Sequence, residues 1–258
     1  MKNRKVLIVA LAICLAAIVA CGSLAYFTTS EEANNQFMVA GYDPDSSDTL
    51  AGDDIFDVDV IEDLPDDSTA TWHAEPADPD ETSEYHGIKY TDIQPGDTLP
   101  KNPTIVNRGQ YGMFVRVKVT VTKAAEWLAI AEANGIKDLT TIFGGFDATK
   151  WVLACTPELD TDANSLTYTY YLGTKSGSDY TGTELGKDES ACLFETVTIP
   201  ASLSADQFAT VADFSIKVAA DAIQTANMTG IVEAFKIFDN GGLPIETTVE
   251  VTTTDYVN

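Results

Sequence analysis

Between residues 115 and 122 the chain reads Val-Arg-Val-Lys-Val-Thr-Val-Thr, and this alternation constrains the fold more than any other feature. A period of two places Val115, Val117, Val119 and Val121 on one face of an extended strand and Arg116, Lys118, Thr120 and Thr122 on the other. The pattern predicts a strand lining one sheet of a sandwich, with its Val face in the core and its polar face wet.

Shorter signals surround it. Pro103 to Val106 reads as a strand ended by Asn107-Arg108-Gly109, and Lys150 to Cys155, Leu166 to Leu172 and Leu193 to Ile199 read as strands between Asp, Asn, Gly and Ser clusters. Tyr168, Tyr170 and Tyr171 give the middle one high β propensity. Phe214, Ile216, Val218 and Ala220 alternate again toward Ala222 and Gln224. Ile93-Gln94-Pro95-Gly96-Asp97 is a turn, because Pro fixes φ at the first central position and Gly permits positive φ at the second. Two stretches break the β pattern. Ala124 to Asn134 is Ala-rich and helical, stopped by Gly135, while Thr229 to Phe238 is a short amphipathic helix with Ile231, Ala234, Phe235 and Phe238 on one side. The last segment, Glu246 to Tyr256, is Thr/Val-rich. Seven or eight strands with a helix or two predict a mainly β fold, a jelly-roll-like β-sandwich with one or two short helical insertions.

Charge divides the chain. The sequence carries 15 Lys+Arg against 40 Asp+Glu, a formal charge of −25. That balance excludes nucleic acid as a partner, which needs clustered cations, and disfavours anionic membrane surfaces. No Lys or Arg occurs between Lys5 and Lys89. Lys2, Arg4 and Lys5 precede the apolar stretch Val6 to Cys21, and Ser23-Leu24-Ala25 offers small residues for a peptidase, so residues 1–25 are expected to be a secretory signal peptide cut between Ala25 and Tyr26. Two alternatives stay open: Val6 to Ser30 is long enough for an uncleaved anchor, and Ile18-Val19-Ala20-Cys21 is a lipoprotein box in which Cys21 would carry the lipid. Export leaves Cys155 and Cys192 as a candidate disulfide, with two free thiols as the alternative.

Residues 26–42 suit a short strand near Phe37 and Val39, beside a polar stretch, Glu31 to Asn35, that reads as flexible. Residues 43–84 hold 16 Asp/Glu with no Lys or Arg, interrupted by Pro44, Pro65, Pro76 and Pro79, and read as an acidic, largely mobile insertion. Its exception is Ile55 to Ile61, where Phe56, Val58 and Val60 alternate with Asp57 and Asp59 as in a half-buried strand. Residues 85–258 are assigned to the sandwich domain.

Catalytic constellations are scarce. His73 and His86 are the two histidines of the sequence and no HExxH helix exists; His73 with Glu75, Asp78 and Asp80 lies in Pro-rich sequence. There is no G-x-S-x-G elbow, and Ser176-Gly177-Ser178 reads as a turn. Calcium is the cation with some sequence support. Asp160-x-Asp162-x-Asn164 opens like an EF-hand loop but lacks its later Gly and Glu, and Asp43, Asp45, Asp48, Asp53 and Asp54 supply further oxygens. The alternative at each site is a solvated acidic loop. Lys101, Arg108, Arg116 and Lys118 gather within 18 positions, with Arg116 and Lys118 on one strand face. They form a candidate basic assembly patch for part of the acidic segment, from the same chain or a neighbour.

In order along the chain, Ala25-Tyr26-Phe27-Thr28, Asn35-x-Phe37-x-x-x-Gly41, Asp92-Ile93-Gln94-Pro95-Gly96-Asp97, Lys101-x-Pro103-x-Ile105-x-Asn107-x-Gly109, the Val115 to Val121 strand and Ala220-x-Ala222-Ile223-Gln224 resemble the camelysin/TasA family of Gram-positive secreted proteins. The resemblance covers about half the chain and implies export through a SipW-type signal peptidase. It also implies a jelly-roll protein of the biofilm matrix or cell surface, in a family some of whose members assemble into fibres. With catalytic residues scarce, the expected protein is non-enzymatic, self-associating and in contact with other matrix or cell-surface components; no cofactor is expected, with calcium as the alternative. In the fibrous members a segment freed by signal cleavage is donated as a strand to the next subunit. Here the donor would carry Tyr26, Phe27, Phe37, Val39 and Gly41. Such β-augmentation draws affinity from main-chain hydrogen bonds, and head-to-tail contacts that do not close propagate filaments. The long acidic insertion and the Cys pair depart from the family pattern. Two other expectations accompany this one: a monomeric surface adhesin or ligand-binding module of the same fold, and a camelysin-like metallopeptidase.

Overall fold

A computed structural model describes residues 28–33, 56–136, 138–211 and 213–240. In chain order its strands are β1 Thr28–Ala33, β2 Val58–Ile61, β3 His73–Pro76, β4 Ile88–Thr91, β5 Thr98–Pro100, β6 Thr104–Asn107, β7 Met113–Thr122, β8 Phe143–Gly144, β9 Trp151–Leu153, β10 Glu158–Asp160, β11 Ser165–Ser176, β12 Asp179–Gly182, β13 Ser190–Cys192, β14 Thr196–Thr198 and β15 Ile216–Gln224. The helices are α1 Ala124–Asn134, α2 Ala205–Val211 and α3 Ile231–Asp239, with a 3₁₀ turn at Leu139–Ile142. The chain is mainly β with short helical insertions, and its paired strands run antiparallel, as the alternation predicts.

The Val strand is β7, at the centre of the larger sheet, whose order is β1-β15-β7-β11-β10, with β9 and β12 also paired to β11. Register places Val119 opposite Val218 on one side and Tyr168 on the other. All four valines are fully buried and share one apolar core with Ile216, Val218, Ala220, Leu166 and Tyr168. Opposite them lie two small sheets, β13-β6-β2 and β5-β14-β8, which give Val58, Val60, Ile105, Ala191 and Val197 to the same core. Burial of each such Val or Ile is worth about 1.5–3 kcal/mol.

The punctuation residues act as predicted. Gly96 has φ 99°, and the Asp97 amide donates to the Gln94 carbonyl at 3.1 Å, which closes a type II turn. Helix α1 ends at Gly135 in the left-handed region. At its start Lys123 makes no side-chain cap; Asn164, from the β10–β11 turn, accepts the Ala125 amide at 2.8 Å instead. At the end of β6, Asn107 is fully buried: its amide nitrogen donates to the carbonyls of Tyr111 and Leu185, and its side-chain oxygen accepts the Gly109 amide. Helix α2 was not foreseen.

Two expectations are corrected. The outer face of β7 is not wet throughout. Helix α3 lies on that side of the sheet, where Ile223, Ile231, Ala234 and Phe235 form a second buried cluster flanked by Phe114, Tyr171 and Phe238. The apolar side of the helix packs with Phe114 of β7, Tyr171 of β11 and Ile223 of β15, one residue from each of three neighbouring strands. The segment 43–84 is folded from residue 56 onward rather than largely mobile. There β2 joins the core, β3 pairs with β4, and Trp72 is buried edge-on to Tyr90. Its carboxylates find partners: Glu75 meets Lys89 at 2.6 Å, and Asp67 accepts the Ala74 amide at 2.9 Å. That amide bond, with His73 beside it, holds the Asp67 carboxyl below the usual range.

Candidate functional site

The feature with the clearest capacity for interaction is the edge of the larger sheet at β15. This nine-residue strand bonds to β7 along its whole length, and over six residues its other side is taken by β1, from Thr28 opposite Ile223 to Ala33 opposite Val218. Strand β2 of the opposite layer lies alongside both. The outward main-chain groups of β15 from Val218 to Ile223 are therefore served by a segment that, among the described residues, has one sheet neighbour. Uncovered, that edge would be a template for another strand. The predicted donor window, residues 26–42, contributes Thr28–Ala33 to this edge, so Glu31 to Ala33 are strand rather than flexible. Tyr26, Phe27, Phe37, Val39 and Gly41 lie outside the described residues, as do the Ala25–Tyr26 cleavage site, the leader with Cys21, and Asp43, Asp45, Asp48, Asp53 and Asp54.

The four basic patch residues do not form one surface. Lys101 is inside the opposite layer, 9% exposed, with its ammonium 2.5 Å from the wholly buried carboxylate of Glu62. Arg108 binds Glu84 and approaches Asp59 to 3.6 Å. For these two the acidic partner comes from residues 43–84 of the same chain. Arg116 and Lys118 meet a different acid, Asp221 of β15, across the larger sheet. Arg116 is 7% exposed; it donates to Asp221 at 2.6 and 2.9 Å and reaches both carboxylate oxygens of Asp239, at the end of α3. Its guanidinium stands over the rings of Phe235 and Phe238. The reading of Arg116 as a solvent-facing assembly residue is thus corrected: alternation shows which side a residue takes, not what covers that side.

The remaining candidates have local structural uses. Asp160 accepts the amides of Asp162 and Ala163 at 2.9 Å in the β10–β11 turn, and Asn164 serves the start of α1. His73 bonds to Asp67 and Glu75 to Lys89, while Asp78 accepts the Asp80 amide, so that group does not converge. Among the described residues no set of three or more His, Cys, Asp or Glu is arranged to hold a metal ion. The expected disulfide is corrected as well. Cys155 is exposed beyond β9 in the larger sheet, whereas Cys192, on β13 in the other layer, directs its thiol to the Phe194 carbonyl; both are free. Burial pushes the Cys192 thiol pKa up, which makes it a poor nucleophile. Ser176-Gly177-Ser178 forms the β11–β12 hairpin turn, with Gly177 at φ 62°.

Sequence reasoning missed a cavity of about 310 Å³ between the two layers, lined by Ile88, Tyr90, Leu99, Lys101, Val197, Phe214 and Ile216 among others. Its lining comes from four separate strands, too dispersed for any local pattern to reveal. Tyr90 donates its hydroxyl to the Pro100 carbonyl, and burial, then the Glu62 charge, raises its pKa.

Together these features define an antiparallel β-sandwich whose first described strand closes an edge of its larger sheet. No protein-family model matches the chain, and no curated protein or solved structure matches it.

Proposed function

We propose that this chain is a secreted structural protein of a Gram-positive cell surface or biofilm matrix, akin to the camelysin/TasA proteins, which assembles into fibres by exchanging its N-terminal strand between subunits. The observation that carries the reading is the β1–β15 pairing, a six-residue antiparallel ladder at the sheet edge. A strand held at an edge can leave its own sheet and occupy the same place on a neighbour with identical main-chain bonds. The 22 residues between Ala33 and Phe56 could span up to about 70 Å if extended, enough to reach another subunit. The exchanged contact is heterologous, so it propagates rather than closes. The signal peptide, SipW-type processing and other matrix components belong to the same proposal, as does the absence of a catalytic role.

The test is electron microscopy of the exported protein beside a variant lacking residues 26–41, with a peptide of that sequence added in trans. The proposal expects fibres from the first, folded particles without fibres from the second, and chain termination by the peptide. Fibres from the truncated protein, or none from the intact protein after cleavage at Ala25, would overturn it. A second reading, a monomeric ligand-binding module, draws on the cavity beside Lys101 and Tyr90; it expects a monomer in every arm.

A further inference from the structure

We propose that His86 is the pin of a pH-sensitive clasp that holds the acidic loop 77–87, between β3 and β4, against β2. The imidazole sits between two carboxylates: Nδ1 is 2.7 Å from Glu81 Oε1 and Nε2 is 3.1 Å from Asp59 Oδ1. Ionised carboxylates only accept hydrogen bonds, and a neutral imidazole has one donor and one acceptor. Both contacts are therefore satisfied only by the imidazolium. Once the proton leaves, one ring nitrogen turns a lone pair toward a carboxylate.

The cluster spans three parts of the fold. Glu81, Glu84 and His86 belong to the loop, Asp59 to β2, and Arg108 follows β6. Arg108 bonds to Glu84 and approaches Asp59, so the loop is tied to the core through two cations, one fixed and one titratable. The loop is also joined by the Glu62 amide to the Tyr85 carbonyl at 2.7 Å, a bond indifferent to pH in this range.

Burial opposes charge on His86, but the Glu81 hydrogen bond and the charges of Asp59 and Glu81 outweigh it and raise its pKa above the ordinary 6.5. The sign follows from linkage. A raised folded pKa gives a contribution that is full below the unfolded pKa and lost as pH rises through the folded value. The loop is thus fastened below about pH 6.5 and held less firmly once His86 has titrated. Each unit by which docking raises the pKa makes loop opening about tenfold harder in acid than in base.

The experiment is an NMR titration of the two histidines in the intact protein, with amide exchange of residues 77–87 at pH 5.5 and pH 8 corrected for intrinsic rates. The expected result is a His86 midpoint above 6.5, lowered by Asp59→Asn and by Glu81→Gln, with faster corrected loop exchange at pH 8. His86→Gln should abolish the pH dependence while the Tyr85–Glu62 bridge stays protected; His73→Gln should leave the dependence intact. A His86 midpoint at or below 6.5, or the same pH-dependent exchange in His86→Gln, would overturn the proposal.

Discussion

Arg116 and His86 each bridge two carboxylates, one on the outer face of the larger sheet and one at the rim of the opposite layer, yet they are built to different ends. Arg116 is 7% exposed and lies against two aromatic rings, and its charge cannot be removed at any physiological pH. The His86 side chain is 39% exposed, and its charge can be lost, although its two carboxylate partners raise the pKa above the ordinary imidazole value. In a sequence with 40 acidic and 15 basic residues, cations are scarce and are shared between acids. Buried arginine makes such a junction permanent. A half-exposed histidine makes it conditional.

The contrast can be broken by substitution. Arg116→Ala should cost the most, about 3–5 kcal/mol, because it leaves the buried Asp221 carboxylate to Lys118, strips the cation from the Phe235 and Phe238 rings and unfastens α3. A fall in the urea midpoint, with loss of near-UV signal from the Tyr171–Phe235 stack, would show it. Lys101→Met should follow at about 3 kcal/mol by isolating the buried Glu62, whose Oε2 already lacks a hydrogen-bond partner. Adding Glu62→Leu should restore most of that loss; a double variant as unstable as the single would refute the ion-pair explanation. His86→Gln should cost no more than about 1 kcal/mol at pH 5.5 and less at pH 8, as measured by denaturation at both pH values. Lys89→Ala, at an exposed pair with Glu75, should stay within about 0.5 kcal/mol by the same measurement. If Arg116→Ala and His86→Gln had equal effects, the distinction between permanent and conditional junctions would fail.

The larger sheet was legible in the sequence because its strands are long. Ten residues of β7 and nine of β15 give alternation enough repeats to be unambiguous, and Gly96 and Gly135 mark the turn and helix end they were read to mark. The opposite layer was harder to read, since strands of two to four residues, such as β5, β8 and β14, show no period. The acidic segment misled for another reason. Counting charge along the chain made 43–84 a self-repelling run, but Lys89, Lys101 and Arg108 follow in sequence and return to pair with Glu75, Glu62 and Glu84. Composition is local, whereas compensation is tertiary. The same limit applies to the β15 edge: sequence pointed to a strand near Phe37 and Val39, outside the described residues, while the strand that lies beside Val218–Ile223 is Thr28–Ala33, a pairing set by the fold.

Asn107 makes the junction of the two layers sensitive to a single atom. Asparagine is among the thermolabile residues, and its hydrolysis replaces the amide nitrogen with an oxygen. Here that single-atom exchange would turn two donors, now serving the carbonyls of Tyr111 and Leu185, into a charged acceptor facing both of them. The damage would fall where β6 ends and the 108–112 turn leads into β7, the seam between the two layers.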